Sequence, residues 1–495
     1  MPVPVAAITD ALTAAGLLVS VRGDAPTSVS AIADDSRRVV RGALFVAVRG
    51  VERDGHAFLD EAARGGASLA IVEDATRTTL PALVVRDGRR AAAVAAAAFY
   101  GDPARGMRII GVTGTNGKTT TVGMLRHLLD ADGARCASIG TLGVLVGSEA
   151  SVFPGGDGLT TPGPVELQRL LRELAVSSVR IVVMEVSSHS LEQRRVSGIP
   201  FRVVVFTNLT RDHLDFHGTM ERYFAAKASL LEHLEPNGVA VRNADDVAWR
   251  KLEGAPRWIS FGVRAKDADV TATDARFSSR GSHWALSAFG ERHPVRLPLI
   301  GEFNVENALA AAAAAYATGL SLETIAIRLS TMPQVPGRLE ILAESPTVLR
   351  DYAHTPDALE RALAALRPFT PGALIVVFGA GGDRDKGKRP LMARVADRLA
   401  DKIVVTSDNP RTEDPERIID DIVAPLPASR YERIEDRRAA IVRAIAMADP
   451  ARDVVLLAGK GHETYQVRGT ETLPFDERSI VRAVIRERDA AGART

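Results

Sequence analysis

The chain has 495 residues and a single cysteine, Cys136. It can therefore close no internal disulfide, and one thiol alone cannot build a structural zinc site. A reducing, cytoplasmic setting is the expectation. A surplus of one charge sign is also missing: 62 Lys and Arg stand against 61 Asp and Glu, a formal +1. That balance excludes the basic excess of a dedicated nucleic-acid binder. Long apolar runs are absent as well. The stretches 91–99 and 308–315 are alanine-rich, far short of the ~20 residues a bilayer span needs, and predict packed helices. The start of the chain carries Asp10 and no basic segment ahead of an apolar run. No secretory leader and no membrane anchor are expected.

What is present is ordinary globular material, 46% hydrophobic, and a length that at ~150 residues per domain predicts three domains. The first, 1–105, has short apolar runs at 43–48 and 69–72 and closes on Gly101-Asp102-Pro103, a boundary signal. The second, 106–335, opens with a strand at 108–112 and has further strands near 181–184 and 203–206 with helical stretches between. That alternation predicts an α/β fold with a mainly parallel sheet covered by helices. The two prolines and glycine of 332–337 exclude a continuous helix and mark a second link. In the third domain, 336–495, the rhythm repeats with apolar strands at 373–378, 403–406 and 454–457.

A strand entering Gly114, Thr115, Asn116, Gly117, Lys118, Thr119 and Thr120 reads as a phosphate loop. Backbone N–H groups of the turn and the positive end of the following helix cradle phosphates. Lys118 would reach the β- and γ-phosphates and the Thr119 hydroxyl would bind Mg²⁺. The usual first glycine falls on Val112, with Gly111 and Gly114 to either side, so the loop is a variant. Glu185 follows an apolar strand, where a carboxylate can hold Mg²⁺. His213, in Arg-Asp-His-Leu-Asp, is either a ligand or a hydrogen-bonded structural residue. Lys227 lies on one helical arc with Met220, Tyr223, Phe224, Leu230, Leu231 and Leu234. An unpaired ammonium there is costly to bury, unless its stem snorkels outward. Asn304 and Asn307, ahead of the alanine helix, suit either an adenine edge or helix capping.

The loop 114–120 resembles the ATP loop of the Mur ligases and of the related folylpolyglutamate synthetases. Further stretches follow the Mur pattern in order: Glu185 to His189, Thr207 to Asp215, Gly301 to Asn307, and Asp351 to Asp357. The matches run from residue 35 to about 466. The resemblance implies a UDP-binding N-terminal α/β domain, a central ATPase domain and a Rossmann-like C-terminal domain. It implies an ATP-dependent ligase of cell-wall peptidoglycan synthesis, monomeric and cytoplasmic, acting on small molecules rather than nucleic acid or membrane.

By the same resemblance, Glu185 and His213 are Mg²⁺ ligands. Lys227 is carbamylated by CO₂, which would give it the oxygen ligands an ammonium lacks. Arg338 meets the ATP phosphates and Asp351 the ribose, with His354 in the same motif. Ser36, within Asp35-Ser36-Arg37, belongs to the uridine-binding domain, although these residues also suit turns. Thr160, Thr161, Ser187, Gln193 and Arg195 match positions that hold UDP-MurNAc-L-Ala-D-Glu, and the Arg195 fork suits a carboxylate. The run Asp408, Asn409, Pro410 and Arg411 marks family members that add meso-2,6-diaminopimelate, although it also reads as a strand-exit turn. Arg411 would pair with the second carboxylate of the diamino acid. Asp408 and Asn409 would accept from its distal ammonium or hold the loop. Arg384, Gly459 and Glu463 complete that set. A lysine-adding ligase, disfavoured by Arg411, and a folate-extending ligase, disfavoured by the first domain, are the alternatives. A nucleotide-gated scaffold is disfavoured by Glu185, His213 and Lys227. No residue stands out as the base for the incoming amine.

Overall fold

The computed structural model describes residues 2–50, 53–131, 134–156 and 158–492. The N-terminal sheet has five strands in the order Leu18–Arg22, Ala82–Val85, Ala67–Val72, Ala43–Val46 and Ala31–Ala33, antiparallel only at its first pair. The helix Gly88–Tyr100 buries its alanine face against it and stops at Gly101, which takes the left-handed conformation that ends helices.

The central sheet has eleven strands. Its parallel core sets Arg108–Thr113 between Val179–Glu185 and Phe201–Phe206. The loops that leave these three strands at their C-terminal ends therefore share one edge of the sheet, where ligands of open α/β sheets bind. The sheet is mainly parallel, as expected, with six parallel and four antiparallel neighbour pairings. Half of the antiparallel pairings belong to a meander, Val270–Ser278, Gly281–Ala288 and Glu291–Leu297. Its signal is alternation: Gly281–Ala288 buries every second residue along most of its length, with Gly281 and Gly290 beside the turns.

The C-terminal sheet runs Glu340–Glu344, Thr347–Asp351, Val454–Ala458, Leu374–Phe378, Lys402–Val405 and Glu432–Arg433, parallel apart from its first pair. The segment 332–337 between the last two sheets carries no helix. Among the described residues, no helix is long and apolar enough to cross a membrane.

Candidate active site

The phosphate loop leaves the strand Arg108–Thr113 and enters the helix Lys118–Leu129, whose cap is Gly117 at φ +83° with no side-chain capping bond. The first N–H groups of the helix are left facing outward, with its positive dipole end behind them. Two glycines are required here. A Cβ on Gly114 would strike Thr207 Oγ1, and one on Gly117 would strike Asn307 Oδ1. The loop is braced from the neighbouring strand end. Thr115 N–H donates to Asn208 O (2.7 Å), Thr207 Oγ1 to Asn116 O (2.7 Å), and Asn116 N–H to Asn208 Oδ1 (2.9 Å). Lys118 Nζ donates to Gly114 O (3.0 Å) and Thr115 O (2.8 Å) and meets no carboxylate at ion-pair distance among the described residues. Burial lowers its pKa, Arg338 adds to that, and Glu185 and Asp212 oppose it.

Glu185 is 1% exposed at the end of Val179–Glu185. Its oxygens accept from Thr141 N–H (2.8 Å) and Thr141 Oγ1 (3.1 Å), which leaves lone pairs on both. His213 sits at φ +54°, its Nε2 3.3 Å from Asp212 Oδ2 and its ring edge-on to His189. Burial drives its pKa down despite Asp212, so the imidazole is neutral and has a lone pair to give. The Glu185 carboxylate and the Thr119 hydroxyl are hard oxygen donors that fit Mg²⁺, and the His213 imidazole is a softer, less usual donor for that ion. Among the described residues no three His, Cys, Asp or Glu groups cluster as a full metal cage. An ion that keeps phosphate oxygens and waters needs only one or two protein carboxylates.

Lys227 does not snorkel. It is 1% exposed, its Nζ donates to Gly114 O at 2.7 Å, and it lies 4.6 Å from the centre of the Tyr223 ring. Burial pushes its pKa well below the usual value, with Lys118 second, which favours the neutral amine. The single helical arc expected around it is shorter in fact. The α-helix covers Met220–Ala228, a 3₁₀ segment follows over Ser229–His233, and Leu234 already begins a strand. Leu230 and Leu231 thus pack from the tighter segment and Leu234 from the strand.

Groups from the C-terminal region close over this cleft. Arg338 Nη2 donates to Thr119 Oγ1 (2.9 Å), and its guanidinium lies 4.6 Å from the Tyr352 ring centre. Asp351 accepts from Leu339 N–H (2.7 Å) and Ala353 N–H (2.8 Å), and burial raises its pKa against the pull of Arg338. Asn116 Nδ2 reaches Asp357 Oδ2 at 2.8 Å, and Arg361 pairs with both Asp357 (3.2 Å) and Glu306 (3.3 Å). Neither asparagine of the alanine helix precedes it or caps it. The helix is Glu302–Ala317, with Gly301 as cap. Asn304 Nδ2 donates back to Ile300 O (2.8 Å), and Asn307 Nδ2 to Asn304 Oδ1 (3.3 Å), which presents Asn307 to the cleft. Residues 115–120, Thr160, Glu185, Ser187, His213, Lys227, Asn307, Arg338 and Asp351 all line this one cleft. Sequence reasoning named Asp357 only as the end of a motif, without a role, and missed Arg361 and Lys388. The Lys388 ammonium, lowered by burial, lies within the fields of both Asp212 and Asp408. His354 also lines the cleft, and burial pushes its pKa down to about 4.

A second pocket joins the N-terminal sheet to the central region, with Ser36, Phe45, Phe58, Gln193 and Arg195 on its walls. Arg195 Nη2 donates to Gln193 Oε1 (2.7 Å) and Nη1 to Thr161 O (2.7 Å), while Thr161 Oγ1 donates to Glu185 O (2.8 Å). Thr161 is buried and links the two sites from behind. Asp35 does build a turn, accepting from Arg37 N–H at 3.0 Å, and Asp54 builds another, accepting from His56 N–H at 3.0 Å.

At the end of the C-terminal sheet, Asp408 to Arg411 face Gly459 to Glu463. Asn409 Oδ1 accepts from Lys460 Nζ (2.9 Å) and Val467 N–H (3.0 Å), and its Nδ2 donates to Glu463 Oε2 (2.8 Å). Its amide oxygen is thereby filled and cannot accept from a distal ammonium, so of the two readings Asn409 holds the loop. Lys460, 0% exposed and missed as a candidate, also reaches Glu463 (3.2 Å) and lies 3.9 Å from Asp408. A Cβ on Gly459 would collide with Asp408 Oδ2. Arg411, at φ +52°, uses only Nη1, donating to Gly382 O (2.8 Å). Its Nε and Nη2 have no acceptor among the described residues. Arg384 is exposed on the adjoining loop, donating to Asp383 O (3.1 Å). Pro410 lies between Asn409 and Arg411 and is buried.

Comparison with known proteins accords with this arrangement. Residues 28–102 match the description "Mur ligase family, catalytic domain", 112–315 "Mur ligase middle domain", and 337–461 "Mur ligase, glutamate ligase domain". The UDP-N-acetylmuramoyl-L-alanyl-D-glutamate–2,6-diaminopimelate ligase of Geobacillus kaustophilus is 44% identical over 473 residues, 93% of this chain and 95% of its own length. The enzyme of the same name from Synechococcus elongatus is 44% identical over 482 residues, 94% and 95% of the two chains. A solved structure with that name is 34% identical, covers 94% of this chain and 97% of its own, and superposes with a TM-score of 0.66. MurF from Acinetobacter baumannii, 22% identical and covering 98% and 99%, shares the fold at a TM-score of 0.67. With relatives at this identity along nearly its whole length, the chain belongs to the Mur ligase family.

Proposed function

We propose that this chain is an ATP-dependent acid–amino-acid ligase of peptidoglycan synthesis, which joins meso-2,6-diaminopimelate to the D-glutamate γ-carboxylate of UDP-MurNAc-L-Ala-D-Glu. One observation carries the reading. Two half-buried cations, Lys118 and Arg338, converge on a helix N-terminus without a carboxylate partner among the described residues, with the buried, neutral Lys227 amine in the same cleft. Such a site requires a polyanion to complete it.

In this reading the triphosphate lies along residues 114–120, with Asn307 and Asp351 toward the nucleoside and Asn304 holding Asn307 from behind. The γ-carboxylate oxygen of D-glutamate forms a bond to the γ-phosphorus, the bond from that phosphorus to the bridging oxygen breaks, and ADP leaves. An amine of diaminopimelate then attacks the acyl carbonyl, expels phosphate and gives up a proton. Lys118 stabilises negative charge that develops during phosphoryl transfer. Arg338 reaches across from the C-terminal region and lets closure exclude water from the acyl phosphate. Thr119, Glu185 and His213 would hold Mg²⁺, which when bound screens the phosphate charge. The neutral Lys227 amine is the form that CO₂ carbamylates, and a carbamate there would add oxygen ligands. Ser36, Thr160, Thr161, Ser187, Gln193 and Arg195 take the UDP-MurNAc-dipeptide. Arg384, Asp408, Arg411, Gly459 and Glu463 take diaminopimelate, with the free edge of Arg411 against its second carboxylate. The proposal includes domain borders at 105/106 and 335/336, a monomer, and a cytoplasmic location.

The test is a panel of amino acids offered with ATP and UDP-MurNAc-L-Ala-D-Glu, with products identified by mass. Product with diaminopimelate and little with lysine or glutamate supports the assignment; preferential use of lysine overturns it.

A further inference from the structure

The two loops assigned above to diaminopimelate come from different strands, and one buried side chain holds both. Arg437, on the helix Arg437–Ala446, is fully buried. Its Nη2 donates to Ala458 O at 2.9 Å, and its Nη1 reaches Ser407 O at 3.5 Å. Ala458 is the last residue before Gly459, and Ser407 the last before Asp408. The strands concerned, Val454–Ala458 and Lys402–Val405, lie on either side of Leu374–Phe378. The guanidinium therefore spans the C-terminal end of an intervening strand. Its charge is met by Glu477, which is equally buried and accepts from Arg437 Nε at 2.9 Å.

The segment just before Arg437 reinforces the same loops. Glu435 O accepts from Ser407 N–H and Thr406 Oγ1, both at 3.1 Å. The Glu435 carboxylate holds Arg468 (2.8 Å), Arg468 holds Gln466 (3.2 Å), and Gln466 Nε2 donates to Asp408 O (2.7 Å).

We propose that Arg437, with Glu477 as its counter-charge, is a positioning residue that sets the spacing of the Asp408–Arg411 and Gly459–Glu463 loops and so the affinity for the incoming diamino diacid. This rests on the assignment of those loops to diaminopimelate. A planar guanidinium suits the task because its donors diverge in one plane and can bridge two carbonyls while a third edge faces a carboxylate. An ammonium cannot hold that fixed geometry. Arg437 touches no substrate in this account and acts only through the loops.

A purely structural role makes a different forecast, because a buried ion pair replaced by apolar side chains of similar volume often keeps its stability. The double variant Arg437→Met/Glu477→Leu removes the buried charges together with the two carbonyl bonds. Arg437→Lys keeps the charge for Glu477 and loses the bridge. The proposal expects both to raise KM for diaminopimelate at least about tenfold, with KM for ATP and for the UDP-dipeptide within about twofold of the parent. Thermal unfolding midpoints, measured alongside, identify whether each variant folds; should the double variant not fold, the lysine variant alone decides. An unchanged KM for diaminopimelate, or equal movement of all three KM values, overturns the proposal. Arg411→Ala, measured in parallel, separates the two levels. If it also leaves diaminopimelate KM unchanged, the loop assignment has failed rather than the role of Arg437.

Discussion

In the central cleft Lys118, Lys227 and Arg338 donate to carbonyl and hydroxyl oxygens and meet no carboxylate at ion-pair distance among the described residues. In the C-terminal region the buried cations are already matched: Lys460 with Glu463, Arg437 with Glu477, and Arg389 with Glu413 and Asp421. Lys118 and Arg338 are half-buried and the neutral Lys227 amine fully so, whereas Lys460, Arg437 and Arg389 are fully buried as charges, and the use of charge differs with it. An uncompensated buried cation destabilises the empty site and is relieved when an anion enters. A compensated one fixes geometry and is indifferent to ligand. The cleft is built to gain counter-charge, and the loops are built to stay where they are. Arg411 stands between the two cases, with one nitrogen committed to Gly382 O and the rest of its fork open.

Substitutions sharpen this contrast, and the largest effect belongs to the cleft. Lys118→Ala should lower ADP release by roughly a thousandfold or more, since it removes the cation proposed above to stabilise the transferred phosphoryl group. Retained turnover in a coupled ADP assay would remove the loop from the chemistry. Arg411→Ala should raise KM for diaminopimelate about 100-fold, the cost of a lost charge-assisted carboxylate pair, with ATP affinity nearly unchanged. Asp357→Asn weakens the bond from the Asn116 side chain across the cleft and should raise KM for ATP about tenfold. Equilibrium binding of a non-hydrolysable ATP analogue checks it.

The smallest effect concerns a pair that ligand should not touch. Hydrogen bonding from Arg389, above all, holds the Glu413 carboxyl down at about 2 from its ordinary 4.5. A carboxylate depressed in the folded state contributes stability fully above its unfolded pKa and loses it as pH falls through the folded value. Glu413→Gln should therefore cost roughly 1–2 kcal/mol at neutral pH. The gap to the parent should close between about pH 4.5 and 2 in denaturant titrations, with and without ATP alike.

The sequence made some of this legible and hid the rest for identifiable reasons. The glycine spacing of 114–120, the strand before it and the carboxylate ending 179–185 are local patterns, and the structure keeps all three together. The family resemblance carried the more distant groups. The helix holding Lys227 ends earlier than its apolar periodicity implies, because a 3₁₀ turn continues the same spacing approximately. Asn304 lies inside its helix rather than ahead of it, since Glu302 and Phe303 are compatible with helix and the alanine run alone drew the boundary. Lys460, the contact made by Asp357, and Arg437 were hidden for another reason. Their partners are Asn409, Asn116, and the backbone of Ser407 and Ala458. No one-dimensional period links residues that only the sheet order brings together.

The most direct measurement follows oxygen. With ¹⁸O placed in the D-glutamate γ-carboxylate of UDP-MurNAc-L-Ala-D-Glu and all substrates supplied, one labelled oxygen should appear in the released inorganic phosphate for each tripeptide formed. Product formation with unlabelled phosphate would contradict an acyl-phosphate route and the account built upon it.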